Sequence, residues 1–269
     1  MSDTLESILV VHQNPAPGRQ FEYDEWYTNI HIRDALRLDG AIATQRFCIG
    51  EEQPALNGKA VAPALWAHTI YEWESAQKSV DGHNDRAATP LMEISRDCAF
   101  EGLRDFFYRP EYLSHGWTRE VGFRRGSEIL TALIKPKGDF PAFRTWFEQH
   151  HASDTLTLPG FGSVGLFSLH EAQSLPYAAE FPAVAIYGLI DRPAALKAWA
   201  QILAQSEFDL SGQVEKLEIG AWKPRIERLR AEDVIDPSPE AAARESAARK
   251  KYAGNYLSQD ELNRALASI

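Results

Sequence analysis

Trp26-Tyr27-Thr28-Asn29-Ile30-His31, closed downstream by Leu38-Asp39-Gly40, returns later as Trp146-Phe147-Glu148-Gln149-His150-His151, closed by Leu158-Pro159-Gly160. From Trp to Trp, His to His and Gly to Gly the offset is 120 residues. An aromatic pair, a histidine five residues after the Trp and a glycine nine further on read as one helix and its exit. A shared period of this length means two copies of one small module, and it decides the fold before any single element does.

Working outward, Ile8-Leu9-Val10-Val11 is a strand that runs into the loop His12-Gln13-Asn14-Pro15-Ala16-Pro17-Gly18. Residues 23–38 form an amphipathic helix with Glu22, Asp24 and Glu25 at its positive end. Strands follow at about 42–49 and 65–73, with a hairpin-like polar loop over 50–63 between them. Residues 75–106 read as mostly helical, broken near Gly82 and Pro90, and Phe106-Phe107-Tyr108-Arg109-Pro110 closes the module as a strand. The order is βαββαβ. It repeats as a strand at 129–134, a helix at 140–156, strands at 163–169 and 183–190, a helix at 193–205 with Pro193 in its first turn, and a strand at 217–222. Tyr71 and Tyr187 sit in matching Ile-Tyr pairs, and Tyr108-Arg109-Pro110 matches Trp222-Lys223-Pro224.

After Arg225 the composition changes. An Ala/Arg/Glu/Lys helix over 241–251 follows Asp236-Pro237-Ser238-Pro239, and Ser258-Gln259-Asp260-Glu261 has the form of a capping box opening a last short helix. Helices this short are marginal alone, so the tail is expected to pack on the body or on another subunit; a charged extension is the alternative. The expected division is 1–115, 116–228 and a tail of 229–269.

With 44% hydrophobic and 11% aromatic residues among 269, the chain has the material for packed cores. A net charge of −10 argues against non-specific binding to nucleic acid or to an anionic membrane. Cys48 and Cys98, with no CxxC, make neither a disulfide framework nor a cysteine zinc site. No signal-peptide pattern and no run of about 20 apolar residues appears, so a cytoplasmic protein is expected.

The βαββαβ order is ferredoxin-like: an antiparallel sheet with both helices on one face, the other face needing a partner. The Trp-Tyr-x₃-His helix, the Leu-Asp-Gly exit, the Ile-Tyr-Glu strand and the Tyr-Arg-Pro close resemble the dimeric α+β-barrel superfamily, especially its EthD-like branch, over roughly residues 5–225. The resemblance implies an α+β fold in which two tandem modules pair sheet to sheet as a barrel within one chain. It also implies ligand entry between one sheet and its own helices. It leaves the reaction open, since the superfamily includes cofactor-free monooxygenases, lactone isomerases, polyketide cyclases, dehydratases and haem enzymes.

Histidine separates the modules. Aligned on the repeats, His12 falls opposite an apolar position near Leu133 and His68 opposite Val184, and only His31 is kept, as His151. Three histidines on elements expected around one cleft point to module one as the working half, with His12, His31 and His68 as acid–base groups near neutral pH. Tyr71, Tyr27 or Tyr23 would hold a developing oxyanion, and Asp34, three residues after His31, would orient its ring. Arg46 would pair a substrate carboxylate, and Trp26, Phe47, Trp66 and Trp73 would line an apolar pocket. His83, His115 and His170 are expected in surface loops, and His150-His151 lacks the partners of a metal site. The resulting expectation is a cofactor-free lyase, isomerase or cyclase acting on a small aromatic, oxygenated substrate, in a setting such as aromatic-compound catabolism. Two alternatives stand beside it: a monooxygenase or haem peroxidase of the same fold, and a non-catalytic binding or oligomerisation protein with a filled cleft. A homodimer through the tail is the expected assembly.

Overall fold

A computed structural model of the chain describes residues 5–56, 59–60, 65–114, 128–175, 177–202 and 210–269. Module one runs β1 (Ser7–Pro15), α1 (Gln20–Trp26), a π-helical turn (Tyr27–His31), α2 (Ile32–Leu36) and β2 (Ala41–Ile49). A small hairpin of β3 (Ala55–Leu56) and β4 (Lys59–Ala60) leads to β5 (Ala67–Trp73), α3 (Ala76–Arg86) and β6 (Cys98–Leu113). Module two repeats this as β7 (Glu128–Pro136), α4 (Phe140–Trp146), a π turn (Phe147–Ala152), α5 (Ser153–Thr157), β8 (Phe161–Leu169), β9 (Ala183–Leu189), α6 (Arg192–Ile202) and β10 (Val214–Pro224).

The eight long strands close on themselves in the order β6-β1-β5-β2-β10-β7-β9-β8, with β8 returning to β6 and every pairing antiparallel. Each module contributes four strands in ferredoxin-like order, and closure leaves neither half with a free sheet edge. Strand alternation then sorts every residue onto one of two buried faces. Ile8 and Val10 join Phe47, Ile70, Ile186 and Trp222 inside the barrel. Leu9 and Val11 face outward under the helices, with Trp26, Tyr27 and Tyr71.

The duplicated helix exits have a physical cause. Gly40 and Gly160 hold positive φ (82° and 91°), a region that L side chains avoid. At Gly160 a Cβ would stand 2.3 Å from the Asp191 carbonyl oxygen and 2.4 Å from the Ala195 amide. Both modules also carry the π turn just after the Trp, so the widened turn is a property of the repeat.

Two expectations about module one need correction. The stretch read as mostly helical to Phe106 is helix only to Arg86, and Ala88 at φ 57° marks where the chain has left it. The strand expected from Phe106 begins at Cys98, because its polar first half pairs with β1. The expected boundary at residue 115 lies outside the described residues, as does His115.

The tail continues as β11 (Leu229–Arg230), α7 (Ala231–Ile235), α8 (Pro239–Tyr252) and α9 (Gln259–Leu266), and it is folded onto module one of its own chain. Arg228 Nε donates to Glu72 Oε1 at 2.9 Å while Nη2 donates to Oε2, both side chains being buried. Arg37 makes a fork of two 2.8 Å bonds to Glu245, and Tyr252 Oη donates to Glu25 at 2.6 Å. Asp34, expected to orient His31, is instead held by Arg37 at 3.2 Å and by Arg249. The Ser258–Glu261 capping box forms as the sequence indicates. Among the described residues no helix is long and apolar enough to cross a membrane.

Candidate active site in the cleft of module one

Between the outer face of the module-one sheet and its helices lies a cavity of about 420 Å³. Its walls are mainly apolar, from Leu9 and Val11 on β1, Met92, Ile94, Phe100 and Leu103 along the approach to β6 and on β6 itself, and Leu175 from module two. Into this lining project Trp26, Tyr27, His31, Tyr71, His83 and Asp105.

Asp105 occupies the outer face of β6, opposite Val11 in the β1 register and between Leu103 and Phe107 on its own strand. Its Oδ1 has no hydrogen-bond partner, and burial pushes its carboxyl up to about 7. His31 stands at the end of the π turn, its ring stacked on Trp26 (centroids 4.8 Å, planes 26° apart) and edge-on to Tyr27 at 4.9 Å. Burial, with a smaller push from His83 and Arg46, brings it down to about 3, so it is neutral at pH 7. His83 Nδ1 lies 2.8 Å from the Ser79 carbonyl oxygen, to which only a protonated nitrogen can donate; Nε2 is then the acceptor in the neutral ring. The Tyr71 hydroxyl donates to Tyr27 Oη at 3.3 Å, and the Thr69 side chain also hydrogen-bonds the Tyr27 hydroxyl. Burial raises both phenols, Tyr27 to about 12, so both are donors at neutral pH. Burial likewise raises the Cys98 thiol, which removes it as a nucleophile.

Of the residues singled out from sequence, the structure brings Trp26, Tyr27, His31 and Tyr71 together on this cavity and sends the others elsewhere. His12 and His68 are register partners on β1 and β5, and both point into the barrel. His68 is wholly buried in a three-ring cluster, with His12 at 4.2 Å and Trp222 stacked at 4.9 Å, those two rings being 5.4 Å apart. Phe47 packs beside it at 5.8 Å, in the barrel core. The expectation of three histidines around one cleft is therefore corrected: even-numbered positions on β1 and β5 face the barrel, and a helix residue reaches only the other face. Arg46, expected to meet a substrate carboxylate, lies outside the lining of this cavity. It is fully buried, ion-paired to Asp24, hydrogen-bonded to Thr28 Oγ1 at 2.9 Å and seated over the Tyr27 ring at 4.6 Å. Trp66 is half-buried, edge-on to Tyr23 at 6.3 Å and outside the cavity lining, and Trp73 is buried behind Tyr71. His83 and His170 are not surface loop residues: His83 lies on α3 and lines the cavity, and His170 is buried and 3.0 Å from Glu6.

Module two provides the comparison within the same molecule. Strand registers and the equal 11-residue lengths of α3 and α6 pair Gln13 with Ile134, Tyr27 with Phe147, His83 with Trp199 and Asp105 with Ile219. His151 and Tyr187 are kept but hydrogen-bond each other at 2.8 Å, and Trp199 packs on both, at 5.8 and 5.0 Å. The buried indole stands at the position that His83 holds beside the module-one cavity. Asp105 and His83 were missed from sequence, yet an acid between Leu103 and Phe107 at period two is a legible signal once the segment is known to be a strand.

Among the described residues no cluster of three or more His, Cys, Asp or Glu is placed to hold a metal ion. A haem, raised by one alternative reading, fits the lining poorly. The described lining residues include no Arg or Lys to pair its two propionates, and Asp105 adds a further acid.

The architecture is an α+β barrel of two ferredoxin-like modules joined in one chain. No family model and no curated protein matches the sequence. Solved structures do match the fold. An anthrone oxidase-like protein superposes with a TM-score of 0.57 at 14% identity, covering 86% of this chain and 96% of the other. A protein from Fusobacterium nucleatum subsp. nucleatum, designated a candidate monooxygenase, gives 0.53 at 8% identity, covering 86% and 96%. A chlorite dismutase from Candidatus Nitrospira defluvii gives 0.48 at 10% identity, covering 91% and 96%. At these identities the likeness is one of fold alone.

Proposed function

We propose that the protein is a cofactor-free lyase, isomerase or cyclase that moves a proton on a small, hydrophobic, aromatic, oxygenated substrate. One observation carries the reading. A carboxyl raised to about 7, one oxygen of which has no hydrogen-bond partner, lines an apolar cavity, and the matched module has isoleucine at that position. Carboxyls with such values cluster at working sites. A pKa near the operating pH lets one group accept and return a proton with little driving-force penalty.

Asp105 takes the proton from carbon or oxygen next to a carbonyl or phenol. The Tyr27 hydroxyl, supported by Tyr71, donates to the oxyanion that develops. His31, neutral at this pH, is left to hydrogen-bond the substrate rather than to carry its proton, and the mainly apolar lining limits access of water. The EthD-like affiliation, the setting in aromatic-compound catabolism, the cytoplasmic location and the three-part division of the chain belong to the same proposal. A homodimer through the tail would need a surface other than the one the tail already spends on module one.

Cofactor-free oxygen insertion, the runner-up, would begin with the same deprotonation, because the resulting carbanion is what dioxygen attacks. A purely structural role predicts a filled cleft, and the cavity counts against it.

The test is solvent exchange. Hydroxylated aryl ketones and anthrone-type phenols are incubated in D₂O with the protein, and loss of the acidic C–H signal is followed by NMR. Wild type accelerates exchange, Asp105→Asn slows it by about 10²-fold or more, and His12→Leu leaves it unchanged. Equal exchange by Asp105→Asn and wild type would remove the reading. Oxygen uptake in the same reaction would favour the runner-up.

A further inference from the structure

The outer wall of the cavity belongs to neither βαββαβ module. Gln259, Leu262, Asn263, Leu266 and Ala267, one stripe at helical spacing, present α9 to the hollow. Leu262 is buried and Leu266 partly so, while Asn263 stays exposed at the rim. The helix is fixed in register rather than laid on loosely. Leu257 N donates to Ile94 O at 2.8 Å, Asn255 Nδ2 to Asp97 Oδ2 at 2.7 Å, and Arg96 makes two 2.8 Å bonds to Glu261. The segment that receives it supplies Met92 and Ile94 to the same cavity.

We infer that α9 is the specificity-determining wall, with Leu262 and Leu266 setting the length of apolar substrate that the site accepts. The inference rests on reading the cavity as a substrate site. The two modules explain why it is needed. Module two has the large, buried Trp199 where module one has the smaller His83. Something outside the module must then complete the wall, and two leucines at i and i+4 do so. A ligand that enters with its oxygen towards Asp105 and Tyr27 directs its apolar end to that helix.

The probe is a series of 4-alkylphenols of increasing chain length, measured by calorimetry on the full-length protein. Affinity in wild type rises about fourfold for each methylene buried and falls once the chain meets α9. Leu266→Ala and Leu262→Ala move the optimum to a longer chain, and Leu266→Phe moves it to a shorter one, with the melting temperature reporting that each variant is folded. An unchanged optimum in folded variants overturns the inference, as does wild type that binds no member of the series. Binding is read without turnover, so the two readings fail separately. A shifted optimum without deuterium exchange removes the proposed reaction and keeps the wall. Exchange that depends on Asp105 with an unshifted optimum does the reverse.

Discussion

Replacing Asp105 by Asn should stabilise the protein at neutral pH and leave it unchanged in acid. Burial favours the protonated carboxyl, moving it from an ordinary value near 4 to about 7. Between those values the native chain keeps a proton that the unfolded chain has lost. Stability therefore falls as pH rises through that window and is flat beyond it. A difference of about three pH units at 1.36 kcal/mol each sets a ceiling of about 4 kcal/mol. Water entering the cavity lowers this, so about 2 kcal/mol is expected at pH 7.5. Asn has nearly the same shape and no proton to hold, so the variant lacks this slope. The buried histidines act in the opposite direction on the acid side, but both proteins share them and they cancel in the difference. The assay is urea unfolding of both proteins at half-unit steps from pH 4 to 8, read as the difference in unfolding free energy. A difference that grows from near zero at pH 4 to its full size above pH 7 supports a buried, unpaired acid. Parallel curves across the range would mean that Asp105 is solvated or paired, and the case for it as the proton carrier would fail.

His83→Trp imports the indole of module two, and it should abolish 4-alkylphenol binding in calorimetry while the melting temperature stays the same or rises. In the barrel, His12 is held at about 3 and His68 well below its ordinary value, both by burial, so each resists protonation only in the folded chain. Their contribution is lost as pH falls below about 6.5, and the double variant His12→Leu/His68→Val, copied from module two, should recover about 2 kcal/mol per site at pH 5 relative to pH 7 in urea titrations. Unchanged acid lability would refute the burial of the pair. Arg228→Met strands the Glu72 carboxylate and should cost about 3–5 kcal/mol, with much of the loss regained in Glu72→Leu/Arg228→Met, as thermal unfolding would show.

The repeat, the βαββαβ order, the glycine exits and the capped tail helix were legible because each rests on local spacing or a backbone requirement. The faces of His12 and His68 were not. Period two says that neighbours alternate but not which side is which, and in a closed barrel covered by helices both sides of a strand are buried. A histidine on either face then sits in the same apolar context. Asp105 was hidden for a different reason: Arg104-Asp105 interrupts the apolar run, so β6 reads as starting at Phe106, after its most informative residue. His83 escaped because it stands where module two has Trp199: the two share no residue type, so the 116-residue offset that matches Tyr71 with Tyr187 leaves no echo there.

Duplication also accounts for how the chain tolerates such a site. An unfilled apolar cavity and an unpaired acid both lower stability. In module two the same scaffold is packed: Phe147 replaces a hydroxylated ring, Ile219 replaces the acid, and Trp199 stands where module one has His83, all buried in one continuous core. Because β6–β8 and β2–β10 ladders join the halves into one closed sheet, module one cannot open at its edges without breaking strand pairs with module two. The packed half thus braces the half that carries the cavity, and the tail closes what remains with α9 outside and the Glu72–Arg228 pair beneath. A single unfused module would lack both supports, so the asymmetry between Asp105 and Ile219 is of a kind that a fused pair can hold and a symmetric pair of identical modules cannot.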